Sequence, residues 1–217
     1  MNRIFIFCEG QTEETFVRDV LSTFFELQNL YVYPIIFSTS TGHKGGISSY
    51  SKVKKQLEMK CKEDSSSWVT TLVDYYGLPD NWIGLDESKS SVSIFNKVLT
   101  IEKSWQQDMG CNNFIPNLLI HEFEALLFSK PEKFLDWFEQ EDVELLIKET
   151  AGFETPEHIN NSKITSPSKR ILKLLDSYQK PLHGSLIAQE IGLDEIRGHC
   201  QHFNSWVEKL LSLREKY

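Results

Sequence analysis

The sequence predicts an α/β protein, with a mainly parallel sheet flanked by helices and a helical C-terminal part. Two observations carry this. Short, nearly unbroken apolar runs at 4–8, 31–37, 68–73 and 114–120 alternate with stretches of helical spacing, the pattern of strands buried on both faces. From 131 onward only helical spacing remains. The 217 residues suit one large domain, read as an α/β core over 1–130 with a helical region over 131–217 packed on it.

Composition narrows the function classes. An apolar fraction of 40% and an aromatic fraction of 12% suffice for a packed core and exclude a disordered chain. No apolar run approaches the ~18 residues that span a membrane. The first residues lack a basic region, a long apolar stretch and a small-residue cleavage site, so a cytoplasmic protein is expected. Cys8, Cys61, Cys111 and Cys200 are scattered, as reduced thiols there would be. A net charge of −8 argues against gripping duplex DNA by bulk electrostatics. It leaves room for a nuclease, because an acidic metal centre lowers the net charge and phosphate contacts need only local basic patches.

The first strand, 4–8, stops at Glu9-Gly10, a carboxylate before a residue suited to a tight turn. Thr12 offers an N-cap hydroxyl, Glu13 and Glu14 fall in the first helical turn, and Phe16, Val17, Val20, Leu21, Phe24 and Leu27 continue at helical spacing. In open α/β sheets ligands gather at the carboxyl ends of strands, where Glu9 sits. The second strand, 31–37, contains Pro34, which places it at an edge or a bulge. The glycine-rich loop 38–46 lacks P-loop spacing and is either an ordinary turn or a backbone cradle for phosphate with Lys44 beside it. Ser48 or Ser49 caps a helix to about 62, apolar at Tyr50, Val53, Leu57 and Cys61 and otherwise basic, with Lys54 and Lys55 in its positive patch. The third strand, 68–73, ends at Asp74, and the following loop carries Tyr75, Tyr76 and Trp82, which either stack on bases or pin the loop to the core. A helix with Val92, Phe95, Leu99 and Trp105 closes near Gly110.

The fourth strand, 114–120, gives way to His121-Glu122-Phe123-Glu124. Glu122 and Glu124 share a face if this segment is strand and diverge by about 200° if it is helix. His121 is either a hydrogen-bonded structural histidine or a ligand. Helices then cover about 131–138, 142–151 and 167–178, the last with Ser166 as cap and Pro167 at its first position. Lys169 and Arg170 oppose the dipole there, as an anion site or as a solvated pair. Gly184 and Gly192 punctuate two short helices, 203–216 forms the last, and His199-Cys200-Gln201-His202 is too tightly spaced for a usual zinc set.

Several blocks together resemble one family: Cys-Glu-Gly-Gln-Thr-Glu-Glu at 8–14, Leu-Val-Asp-Tyr-Tyr-Gly-Leu-Pro at 72–79 and Leu-Ile-His-Glu-Phe-Glu-Ala-Leu-Leu-Phe-Ser at 119–129. Thr-Pro-Glu-His-Ile-Asn at 155–160, Ser-Pro-Ser-Lys-Arg at 166–170 and Cys-Gln-His-Phe-Asn-Ser-Trp at 200–206 continue it. The chain resembles a Toprim-like family of unknown function that includes the effector subunit of the PARIS anti-phage defence system. Toprim domains also occur in topoisomerases, primases and OLD-family nucleases. The resemblance implies a Mg²⁺- or Mn²⁺-dependent site for phosphodiester chemistry. Within it Glu9 matches the Toprim glutamate after the first strand, a metal ligand or general acid–base group, and Asp74 the first aspartate of the Asp-x-Asp motif. Tyr76 stands where that motif has its second aspartate, so Glu122 and Glu124 are the further candidate ligands.

The expected function is therefore a metal-dependent nuclease acting on RNA, such as tRNA, as a toxic effector in anti-phage defence. Catalytic roles fall to Glu9, Asp74 and Lys169, and phosphate contacts to Lys44, Lys54, Lys55, Lys169 and Arg170. A homodimer and a partner ATPase subunit are expected associations. The alternative is a catalytically weak module that binds such an ATPase or nucleic acid, and a third reading is a small-molecule phosphohydrolase.

Overall fold

The computed structural model describes residues 2–40, 43–44, 46–159 and 165–216. Strands β1 (Asn2–Cys8), β2 (Leu30–Ile36), β5 (Trp68–Asp74), β6 (Phe114–Ile115) and β7 (Leu118–Leu119) form a sheet in the order β2-β1-β5-β6, with β7 also on β5. Every pair in it is parallel. Short strands β3 (Ser38–Ser40) and β4 (His43–Lys44) pair separately and antiparallel. Pro34 lies on the edge strand β2 opposite Ile6, where its missing N–H costs the sheet nothing on the open side.

The strand expected over 114–120 is two short pieces. Pro116 cannot donate to the ladder, and Asn117 replaces it through Thr71: Thr71 Oγ1 donates to the Asn117 carbonyl at 2.8 Å and Asn117 Nδ2 to the Thr71 carbonyl at 3.2 Å.

Helices cover both faces. On one lie α2 (Tyr50–Glu63) and α3 (Ile94–Met109), which bury Val53, Leu57, Ile101 and Trp105 against Phe7, Val69 and Leu118. On the other lies α1 (11–26), α-helical over Gln11–Phe16 and Ser22–Glu26 with π-helical Val17–Leu21 between. Beside it pack α4 (Gln140–Thr150), α5 (Pro167–Leu174), α6 (Ser185–Ile191), α7 (Leu193–His199) and α8 (Gln201–Leu211). Ile4, Ile6 and Leu72 of the sheet share one apolar cluster with Phe134, Phe203, Trp206 and Leu210. Each such side chain stabilises by roughly 1.5–3 kcal/mol when fully buried, so residues beyond 131 belong to the sheet's core alongside α1. Trp206 Nε1 also donates to Thr70 Oγ1 of β5 at 2.9 Å.

Other expectations are corrected in detail. Segment Pro131–Asp136 is 3₁₀ rather than α-helical, Phe123–Ser129, left open between strand and helix, is also 3₁₀, and α5 stops at Leu174, short of 178. The last helix begins at Gln201 and tightens to 3₁₀ over Ser212–Lys216. Gly10, not Thr12, is the N-cap of α1, and Glu13 reaches back to accept the Gly10 N–H at 2.9 Å. Neither Ser49 nor Ser166 caps its helix through its side chain. His202 is structural: its Nε2 bonds Glu102 Oε1 at 2.9 Å, and the same oxygen accepts Leu118 N at 2.8 Å.

Candidate functional site

Parallel strands end on one side, so the carboxylates that close them gather there. Glu9 follows β1, Asp74 is the last residue of β5, and Glu122 and Glu124 follow β7. Asp74 N donates to Glu9 Oε2 at 3.4 Å, and Asp74 Oδ1 accepts Phe123 N at 2.9 Å. The turn after Asp74 packs tightly on this group, because a Cβ on Gly77 would lie 3.2 Å from Glu9 Oε1. His121, at φ 69°, turns the chain from β7 into the Glu122–Glu124 segment. Burial pushes its pKa down to about 4, so its imidazole is neutral at physiological pH.

Among the described residues, the cation set against these carboxylates is Lys180. Its Nζ stands 3.0 Å from Glu124 Oε2, 3.5 Å from Asp74 Oδ2 and 4.0 Å from Glu13 Oε1. The Glu124 contact is an ion pair whose angles fall outside hydrogen-bonding geometry. Lys180 opens a π-helical turn, Lys180–Gly184, that leads into α6. Gly184 lets this turn approach α1, since a Cβ there would lie 3.1 Å from both Thr12 Cγ2 and the Tyr178 hydroxyl. Tyr178 donates to Glu124 Oε1 at 3.5 Å.

Burial sets the electrostatics. Glu9, Glu13 and Glu124 are each pushed up to about 7, first by burial and then by the Asp74 carboxylate, against the pull of Lys180. Burial and the neighbouring Glu122 likewise raise Asp74, again against Lys180. Burial alone would lower Lys180, but Asp74, Glu124 and Glu13 outweigh it and hold the ammonium charged.

The expected residues divide. Glu9, Asp74 and Glu124 come together, and Glu13 joins them. Glu122 spends one oxygen on α5, where its Oε2 accepts Ser168 N at 2.9 Å and supplies the cap expected of Ser166. Lys169 lies exposed on α5, outside the Lys180 cluster. Arg170 Nε donates to the Thr165 carbonyl at 2.9 Å, and its guanidinium lies over Phe153. Lys54 is not free for phosphate: it pairs with Asp108 at 2.8 Å. Lys55 is exposed on α2. The Lys44 side chain and Asn160, the last residue of the 155–160 block, lie outside the described residues. Lys180 and the place of Glu13 were missed. The Gly10–Glu13 spacing was a capping signal for Glu13, but nothing local marks Lys180.

Because Glu122 caps α5, Glu122→Ala is expected to cost about 1 kcal/mol. That corresponds to a melting-temperature drop of roughly 2–4 °C for a chain of this size. Glu122→Gln, whose amide oxygen still accepts, should lose less, and equal losses in thermal melts would contradict the capping role.

Around these groups lies a cleft of about 280 Å³, lined by Glu9, Glu13, Asp74, Lys180 and Pro181 among others. A larger cavity of about 740 Å³ opens at the amino end of β5 beside Trp68, Leu99 and Leu213, but its acid Glu102 is already committed to His202 and Leu118. Chemistry therefore favours the smaller cleft. Among the described residues its donor set is all oxygen, with more carboxylates than the Lys180 ammonium balances, which fits a hard divalent cation. Among the described residues, no three such side chains are arranged to hold a metal ion together, and Lys180 is the charge on which they converge.

Residues 8–211 match the family described as Domain of unknown function (DUF4276). The chain belongs to this family. All the cluster residues lie within the DUF4276 match. No curated protein matches the sequence. Among solved structures, the chain is similar to the C-terminal region of the Burkholderia pseudomallei OLD protein, at 14% identity and a TM-score of 0.44, over 97% of this chain and 99% of that one. It is also similar to the C-terminal region of the Xanthomonas campestris pv. campestris OLD protein, at 12% identity and a TM-score of 0.42, over 97% and 96%. No helix among the described residues is long and apolar enough to cross a membrane.

The raised carboxylates predict an unusual pH dependence. Glu9, Glu13 and Glu124 go from an ordinary 4.5 to about 7 on folding, so the folded state holds protons that the unfolded chain has released. Stability must then fall as pH rises through that window. His121 acts oppositely, but only below its ordinary 6.5. The melting temperature is accordingly expected to fall from pH 6.5 to 8. Millimolar Mg²⁺ or Mn²⁺ should restore more of it at pH 8, where the ligands are deprotonated. A melting temperature that rises over this range in scanning fluorimetry would contradict the raised carboxylates.

Proposed function

We propose that this chain is a Mg²⁺- or Mn²⁺-dependent nuclease, with RNA the favoured substrate, whose centre is the cleft at the carboxyl ends of β1, β5 and β7. The observation that carries this reading is the convergence of Glu13, Asp74 and Glu124 on Lys180, with Glu9 joined to them through the Asp74 N–H. Buried carboxylates of one sign raise one another's pKa and cost stability, so a fold that gathers them has a use for them. Glu9 and Asp74 would hold the cation, two carboxylates sufficing for an ion that keeps its waters, with Glu13 and Glu124 adding negative charge beside them. When bound, it supplies the positive charge that polarises a phosphoryl oxygen and steadies the leaving oxygen. In the alternative role of acid–base group rather than ligand, Glu9, which burial and Asp74 push up to about 7 in the metal-free cleft, would take a proton from the attacking water. Lys180 places its ammonium against a non-bridging phosphate oxygen as charge develops there, the role expected of Lys169. Tyr178 holds Glu124 in place through its hydroxyl.

The resemblance of the 8–14, 72–79 and 119–129 blocks to the Toprim-like family supports the same chemistry, and with it the role of a toxic effector that works with a partner ATPase. The binding-module reading draws on Tyr76 at the second aspartate position and on Lys180 filling the centre. The deciding experiment incubates the pure chain with bulk RNA, with and without Mg²⁺ or Mn²⁺. Cleavage that depends on the cation supports the nuclease; binding without cleavage at any cation concentration supports the module.

A further inference from the structure

The structure sorts the three aromatic residues that follow Asp74. Trp82 is 3% exposed and packs between Tyr50 and Trp105, at ring centroid distances of 5.1 and 4.9 Å. Tyr75 is half-buried against the same apolar cluster. These two pin the loop. Tyr76 is 41% exposed, and its ring makes no aromatic contact or hydroxyl hydrogen bond among the described residues.

Its backbone, by contrast, is fixed. Tyr76 sits in the 3₁₀ turn Tyr75–Gly77 directly after Asp74, and its N–H donates to the His121 carbonyl at 3.0 Å. The next residue, Gly77, backs onto the Glu9 carboxylate. An open aromatic ring is thus carried on an immobilised turn that touches two of the proposed catalytic residues.

Two further observations say what that ring could meet. The cleft of about 280 Å³ is below the ~300–1,000 Å³ of pockets that enclose a ligand of drug or nucleotide size, and its walls are charged. Its charged walls suit a phosphate and a cation rather than a base, which would lie outside on the flanking surface. The net charge of −8 also denies the chain strong general attraction for a polyanion, so affinity must come from contacts other than bulk charge. Stacking on an aromatic ring is such a contact.

We infer that Tyr76 is a stacking platform for an unpaired nucleobase next to the phosphodiester held in the cleft, and that the substrate class is single-stranded nucleic acid. This rests on the nuclease reading. Unpaired bases offer a free π-face, whereas bases inside a duplex spend theirs on their neighbours. The phenol hydroxyl is not required; the ring is.

The test compares wild type with Tyr76→Ala and Tyr76→Phe on a fluorescent mixed-sequence 15-nucleotide RNA and on its blunt duplex. Binding is read by anisotropy in Ca²⁺ and cleavage in Mg²⁺. Wild type should prefer the single strand. Tyr76→Ala should weaken single-strand binding by about 5- to 150-fold, the equivalent of the ~1–3 kcal/mol of one stacked base. The loss should fall in KM with kcat kept within about twofold, and Tyr76→Phe should recover it. Equal melting temperatures of the variants establish that folding and the loop are intact, so that the loss reads the ring's contact with RNA. Duplex handled as well as single strand, or Tyr76→Ala equal to wild type, overturns the stacking inference while metal-dependent cleavage by wild type keeps the nuclease reading. Absence of both binding and cleavage for either RNA overturns both.

Discussion

Glu9→Gln is expected to lower phosphodiester cleavage by ~10²–10⁴-fold, the range for loss of a positioned acid–base group. The substitution keeps the size of the side chain and an oxygen that can accept Asp74 N, so the turn through Gly77 should stay packed. What it removes is a carboxylate that burial and Asp74 push up to about 7. Taking a costly charge out of the interior should leave the melting temperature at pH 8 unchanged or higher. Loss of activity with no loss of stability is the signature of a catalytic rather than a structural carboxylate. A variant with full cleavage would move Glu9 out of the centre; a variant that fails to fold would mean its charge is structural.

Lys180→Met is expected to have the second largest effect, on activity and stability together. It leaves Glu124, which is fully buried, and Glu13 and Asp74 without their counter-charge. Removing one partner of a fully buried pair costs about 3–5 kcal/mol. Here the lysine side chain is 38% exposed, and the carboxylates escape part of the penalty by taking up protons, so ~1–3 kcal/mol is the expected loss at pH 8. The melting temperature should fall by several degrees at pH 8 and less at pH 6.5. Cleavage should drop by ~10²–10³-fold, as for loss of one donor to a developing anion. Because the site becomes more negative, the Mg²⁺ concentration for half-maximal rate should move down. Unchanged activity with a higher Mg²⁺ requirement would contradict the role given to this ammonium.

The carboxylates of the site were readable because strand ends are local events. Glu9, Asp74 and the Glu122–Glu124 pair each follow an apolar run, and parallel pairing forces such ends together. Which of Glu122 and Glu124 faces the cluster was not readable, because it depends on the backbone after His121. A φ of 69° there and a 3₁₀ segment from Phe123 send Glu124 to Lys180 and Glu122 to the start of α5.

Lys180 was hidden for a different reason. It lies 106 residues from Asp74 in the chain, and its neighbours Gln179, Pro181 and Leu182 form no pattern that points to an acidic cluster. Lys169 drew attention instead because a cation in a helix's first turn carries a visible local cost. That cost is met by Glu122, whose charge lies at the same helix end. The break in the strand at Pro116 could be anticipated from the proline itself, yet its repair by Thr71 and Asn117 is a tertiary contact between separate strands.

A Mn²⁺ titration followed by electron paramagnetic resonance at pH 8 shows whether the Glu9–Asp74 cleft takes a divalent cation. Wild-type protein should remove free Mn²⁺ signal at micromolar to millimolar concentrations, and Glu9→Gln/Asp74→Asn protein, folded by its thermal melt, should remove markedly less. A wild-type chain that leaves the Mn²⁺ signal untouched, or one that binds it no better than the double variant, rules out a cation site in this cleft.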